Sequence, residues 1–182
     1  PQGPSSFAEL FTDSLKQKDI DALLKPSNVE GINELTPEVI LVTTVSYGNE
    51  SLRTSIIGSS YLMAKILDIF PDKGTYFTDE DIRQKASVVV IGSKIKEKLF
   101  GDSDAVGEKI KVKDRLYRVI GTLPKKGQVS LFNADDMVVM PYTTVQQYIT
   151  GTNYFNSIIV QAESEEIVPR VVKEIKLTLR ES

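Results

Sequence analysis

The chain has 182 residues, 41% hydrophobic and 26% charged, with a formal net charge of −3. That is one compact domain or two small ones, able to bury about 70% of the surface its unfolded form exposes, so disorder and fibrous structure are excluded. There is neither cysteine nor histidine, which removes disulfides, thiolate metal sites, the commonest metal ligand and the commonest general base.

Residues 1–6 have neither the basic start nor the apolar core of a signal peptide and read as a flexible linker. Apolar Leu15, Ile20, Leu23 and Leu24 predict a short helix over 14–24, ended by Pro26. Residues 38–47 are rich in β-branched side chains and read as a strand. Gly48, Asn49 and Glu50 form a turn, and 51–57 return as a second strand. After Gly58 and two serines a helix is expected over 61–70, closed by Pro71. Thr78 and Asp81 have the spacing of a capping box.

A buried strand is expected at 87–91, a short helix at 94–100 and a loop at 101–107. Alternating strands follow at 108–113 and 116–123, joined at Asp114 and Arg115. Residues 124–135 read as a long loop, 137–141 as a strand and 143–150 as a short helix ended by Gly151. A strand at 155–162 and a helix over 165–180, with Ile167, Val171, Val172, Ile175 and Leu179 on one stripe, complete the chain. That helical pattern stops without a cap, as in a domain cut from something longer. No run approaches the ~20 apolar residues that cross a bilayer.

This order predicts an α+β fold in which one unit is inserted into another. The outer unit is 1–73 plus 152–182, because its hairpin and helix alone make too thin a core. The insertion, 74–151, is mostly β.

No motif supports catalysis. Ser93 and Lys96 match S-x-x-K, in which a lysine one turn away takes the serine's proton, but the companion S-D-N and K-T-G elements are absent. The stretch from Gly101 to Lys109 fails as a phosphate loop: five residues separate its glycines and Glu108 stands where lysine is needed. It also fails as a calcium loop, because Val106 replaces the third ligand and Lys113 the bidentate acid. Asp79, Glu80 and Asp81, and the pair Asp135 and Asp136, suit helix-start and loop roles better than a metal site.

From Lys94 to Lys126 there are ten Lys/Arg against five Asp/Glu. Lys94, Lys96, Lys98, Lys109, Lys111 and Lys113 alternate with other residues as a solvated face requires, and no recognition motif for nucleic acid accompanies them. The loop residues Gln128, Val129, Leu131 and Phe132 are the candidate partner contacts. Apolar side chains in a loop either tuck beneath it or meet another molecule.

Several segments in order carry a resemblance. They are Gly74-Thr-Tyr-Phe-Thr-Asp-Glu-Asp81, Ser87-Val-Val-Val-Ile-Gly92, Leu99-Phe-Gly101 with Asp104-Ala-Val-Gly-Glu-Lys-Ile110, Tyr117-Arg-Val-Ile-Gly121 and Val138-Val-Met-Pro-Tyr-Thr-Thr144. Together they resemble the periplasmic core domain of MacB-type ABC transporter permeases, related to FtsX and the lipoprotein-releasing permeases. Ala105 departs from the proline common there.

The resemblance implies a porter-like unit made from both chain ends, with an inserted sabre-like unit. It implies an extracytoplasmic location on a membrane protein, no cofactor, no metal and no catalysis in this domain. The implied function is coupling of cytoplasmic ATP hydrolysis to movement of extracytoplasmic substrate in efflux. The implied partners are a second permease subunit, a membrane-fusion-type adaptor and, indirectly, the ATPase domain or subunit. The alternative is a ligand-sensing or substrate-binding domain of a related permease, serving lipoprotein release or peptide sensing.

Overall fold

A computed structural model describes residues 6–129 and 132–181. The chain opens with strand β1 (Phe7–Leu15), which sequence patterning missed, so helix α1 (Gln17–Leu23) starts three residues later than expected. Strand β2 (Ile32–Tyr47) runs sixteen residues, and β3 (Glu50–Ser59) returns beside it. Helix α2 (Tyr61–Leu67) is capped by Ser60, whose hydroxyl accepts from the Leu62 amide. It stops at Asp68, which turns left-handed with φ 54°, so Pro71 is not what ends it and Phe70 lies outside the helix.

A two-residue strand β4 (Lys73–Gly74) leads to α3 (Asp79–Arg83). Here Thr78 and Asp81 form the expected reciprocal cap, each side chain taking the other's amide. There follow β5 (Val88–Ile91), α4 (Ser93–Phe100), β6 (Lys109–Val112) and β7 (Arg115–Thr122). The β6–β7 turn is centred on Lys113 and Asp114, both at positive φ, one residue earlier than predicted. The long loop contains a small hairpin, β8 (Gln128–Val129) with β9 (Phe132–Asn133). Then come β10 (Met137–Pro141), α5 (Tyr142–Val145) running into a wider π-turn at Gln146–Thr150, β11 (Phe155–Ala162), and α6 (Val168–Glu181) after one 3-10 turn.

The sheet runs β1-β11-β2-β3-β10-β5-β7-β4, and β6 pairs with both β7 and β2. This second pairing, Val45 with Val112 and Ser46 with Lys111, closes β2, β3, β10, β5, β7 and β6 into a six-stranded ring. Alternation then decides what is inside. Ile110 and Val112 point inward while Lys109 and Lys111 are exposed, and Tyr117 and Val119 alternate in the same way with Leu116 and Arg118. Val45, Ile56, Val89, Ile91, Val138 and Met140 fill the same space, all fully buried.

Beyond the ring, β1, β11 and the first half of β2 form a three-stranded extension. One face is covered by α1 and α6, through Ile20, Leu23, Val171 and Ile175 against Leu10, Leu35, Ile158 and Val160. The other face meets α2, whose Met63, Ile66 and Leu67 pack with Phe7, Ile57 and Ile159. Strand β2 belongs to both parts: Ile32 to Glu38 pair with β11 and Val39 to Tyr47 with β3.

Candidate functional site

Between the start of α2, the first half of β2 and the segment leading into α3 lies an open groove of roughly 950 Å3. Its walls are aromatic because four rings, those of Tyr61, Phe70, Tyr76 and Phe77, come together around Pro71. Tyr61 contacts Phe70 at 6.0 Å and Tyr76 edge-on at 6.1 Å between ring centroids, and Tyr76 stacks on Phe77 at 4.4 Å. Tyr61 and Phe70 keep 46% and 40% of their surface exposed, so the groove presents apolar surface to solvent. The early end of α2 frees Phe70 to line this groove instead of packing under the helix.

Beneath the groove, on the α2 side of the sheet, is a row of polar groups that the sequence reading passed over. Glu38 on β2 is fully buried, and neither carboxyl oxygen has a hydrogen-bond partner. Ser157 lies directly opposite it on β11. Ser59 on β3 follows Gly58, the partner of Val39. Both hydroxyls are also buried and unpartnered, as is Oε2 of Glu9 on β1.

Burial, with the charge of Glu9 adding to it, pushes the Glu38 carboxyl well above the usual carboxylate range. The nearby Ser59 hydroxyl pulls weakly the other way without meeting hydrogen-bond geometry. Burial also pushes Glu9 up to about 7. The Tyr76 hydroxyl donates to the Ser60 carbonyl at 3.3 Å, and its own pKa is raised by burial and by Glu38. The signal in the sequence was the acid that heads the apolar run Glu38-Val-Ile-Leu-Val42, in the register that faces inward.

The predicted contact loop lies elsewhere. The backbones of Gln128, Val129 and Phe132 are in the β8–β9 hairpin, and Leu131 lies outside the described residues. The hairpin's base is clamped by Asp135, whose carboxylate accepts from the amides of Lys126 at 2.7 Å and Gly127 at 3.0 Å. Burial raises this carboxyl's pKa, but those two amides, the Ser93 hydroxyl and Lys125 together bring it below the ordinary value. The Asp135 carbonyl takes the Lys94 amide at 2.9 Å, and Lys126 Nζ reaches the Asp68 carbonyl at 3.2 Å. The loop is thereby anchored to the start of α4 and the end of α2. Gly92 is required here, since a Cβ on it would lie 2.5 Å from the carbonyl oxygens of Ala134 and Asp135.

These contacts also resolve the other motifs. Ser93 faces Asp135, while Lys96 donates to the Gly101 carbonyl at the far end of α4, 2.7 Å away, so the S-x-x-K pair is not assembled. Asp81 is a cap, and Asp136 accepts from the Thr54 hydroxyl. No group of three metal-binding side chains gathers among the described residues.

Against known proteins, residues 2–177 match the family described as MacB-like periplasmic core domain. The macrolide export ATP-binding/permease protein MacB of Wolinella succinogenes is 32% identical over 161 residues, covering 85% of this chain and 25% of that protein. Its namesake in Neisseria meningitidis serogroup B is 35% identical over 156 residues, covering 85% and 24%. The chain thus spans about a quarter of the length of these relatives.

Two solved structures share the fold. The periplasmic region of MacB from Actinobacillus actinomycetemcomitans has a TM-score of 0.79 at 21% identity, over 99% of this chain and 85% of that one. The extracellular domain of the noncanonic ABC-type transporter YknZ from Gram-positive bacteria has a TM-score of 0.77 at 21% identity, over 95% and 91%. With the family matched over nearly its whole length, the chain belongs to the MacB-like periplasmic core domains, the extracytoplasmic domains of ABC transporter permeases.

Proposed function

We propose that this domain is a mechanical element of an efflux permease, passing movement driven by cytoplasmic ATP hydrolysis to substrate outside the membrane. The observation that carries the reading is β2, one strand shared between the extension and the ring. A load on β1, β11 or α6 enters the ring along a continuous hydrogen-bonded ladder instead of across a linker. In this reading residues 1–73 with 152–182 are the porter-like unit and 74–151 the sabre-like insertion. The partners are a second permease subunit, a membrane-fusion-type adaptor and, through the membrane helices, the ATPase.

The β8–β9 hairpin is the proposed partner contact, through Gln128, Val129, Leu131 and Phe132, because its base is anchored on two helices. The test is made in the intact transporter with Val129→Ser and Phe132→Ser together. Transport and adaptor retention should fall while ATP hydrolysis continues. Unchanged transport with the adaptor retained would remove the hairpin from the interface, and hydrolysis lost in step with transport would argue against a coupling role.

The exposed aromatic groove favours a second reading, in which the domain binds an apolar or peptide ligand between its two units. Titrating candidate peptides against thermal unfolding tests it, since a one-site ligand at a hundredfold excess over its Kd adds about 2.7 kcal/mol. No shift with any peptide leaves the mechanical reading alone.

A further inference from the structure

Two carboxylates on one sheet face with no cation between them cannot both be ionised cheaply. Glu38 and Glu9 lie on one face, on strands β2 and β1 that flank β11, Glu38 opposite Ser157 and Glu9 opposite Ile159 two residues further along, and the charge of Glu9 adds to the burial that raises Glu38. Among the described residues next to Glu38 on this face, β11 contributes the Ser157 hydroxyl and β3 the Ser59 hydroxyl, with Gln161 bonded to Asn33 and Arg53 exposed further along their strands, and the segment before α3 contributes the Tyr76 phenol. The one cation of α2, Lys65, is engaged with Glu34 at 3.3 Å, four residues along β2 from Glu38. Tyr142 on α5 faces Asp79 instead. Calcium would find two carboxyls and two hydroxyls from one side of a sheet whose carbonyls are engaged in ladders, too few for the six to eight oxygens it requires, and no group of three metal-binding side chains gathers among the described residues. A proton requires no such cage.

We infer that Glu38, fully buried with neither carboxyl oxygen partnered, keeps its proton in the native fold, and that its loss as pH rises loosens the Tyr76 segment from the sheet and widens the groove above it. Tyr76 is the link. Its hydroxyl is anchored on Ser60 beside Glu38, and its ring forms the groove wall between Tyr61 and Phe77. Ionising Glu38 puts charge under that anchor. The inference does not depend on whether the groove takes a ligand, nor on the coupling role proposed above.

The experiment compares this chain with Glu38→Gln and, in case that variant folds poorly, with Glu9→Gln, which touches a partly exposed position. Urea unfolding from pH 5 to 9 should show the unmodified chain losing stability as pH rises, while either variant gives a flatter curve and unfolds later than the unmodified chain at pH 8.5. Hydrogen exchange at amides 73–78 should accelerate across the same range beyond the intrinsic base-catalysed increase, and only in the unmodified chain. Parallel stability curves for all three proteins would overturn the retained proton, as would carbon-13 shifts showing the Glu38 carboxyl ionised at pH 5. A stability slope without extra exchange at 73–78 would overturn the link to the groove.

Discussion

Tyr117 fills the ring with its hydroxyl buried and without a partner. A lone buried hydroxyl keeps its desolvation cost and returns nothing, so Tyr117→Phe should stabilise the fold by about 1 kcal/mol, read by urea unfolding. Asp135 is the opposite case, a buried carboxylate whose lone pairs are used. Asp135→Asn puts an amide where an acceptor is required and should cost about 1–3 kcal/mol. Its lowered pKa also has a sign. The carboxyl contributes stability that is present above its unfolded value, near 3.8, and is lost as pH falls through the lower folded value. Unfolding curves at pH 2–5 should therefore converge for wild type and Asp135→Asn at the acid end. Gly92→Ala meets the backbone carbonyl oxygens of Ala134 and Asp135, the latter already accepting from the Lys94 amide, and a loss of about 1–3 kcal/mol is expected.

Among the elements, the β6–β7 hairpin turns on Lys113 and Asp114 with φ of 48° and 66°. A tight hairpin of this kind favours Asn-Gly, and left-handed backbone costs other residues about 1–2 kcal/mol each. Lys113→Asn with Asp114→Gly should therefore raise the unfolding midpoint without altering the ring, which circular dichroism would check. Strands with β-branched runs or strict alternation, such as β3, β5, β10 and β11, were legible within two or three residues. Strand β1 was not, because Phe7-Ala-Glu-Leu-Phe-Thr-Asp13 lacks β-branched density and is a strand only because β11 pairs with it. The length of α2 was overread for a similar reason. Ile69 and Phe70 fit a helical stripe, yet Asp68 leaves the helix and sends them into different surroundings, Ile69 into the core and Phe70 into the groove. The buried acids were missed because a glutamate heading a strand looks solvated until its neighbours on three other strands are known.

For the whole molecule, closure of the ring was beyond any local pattern, since it rests on β6 meeting β2 some 65 residues earlier in the chain. That seam has two register pairs against nine between β2 and β3. β10 and β5 also share two register pairs; the seam is expected to open before the β2–β3 pairing, with the amides of 109–112 exchanging before those of β3. Val112→Ala removes fully buried volume at the seam and should cost about 2 kcal/mol while speeding that exchange further.

The place of β11 has a consequence for how the chain becomes this structure. It lies between β1 and β2, so Phe7 finds its partner Gln161 only after about 150 residues have been made. Until then β1 has no ladder to join, and one edge of the growing sheet remains open along the first half of β2. Contacts that distant in sequence slow folding and leave strand edges available to wrong partners. A nascent or truncated chain ending before β11 is therefore a candidate for chaperone capture or edge-to-edge aggregation, even though all six of its ring strands already exist.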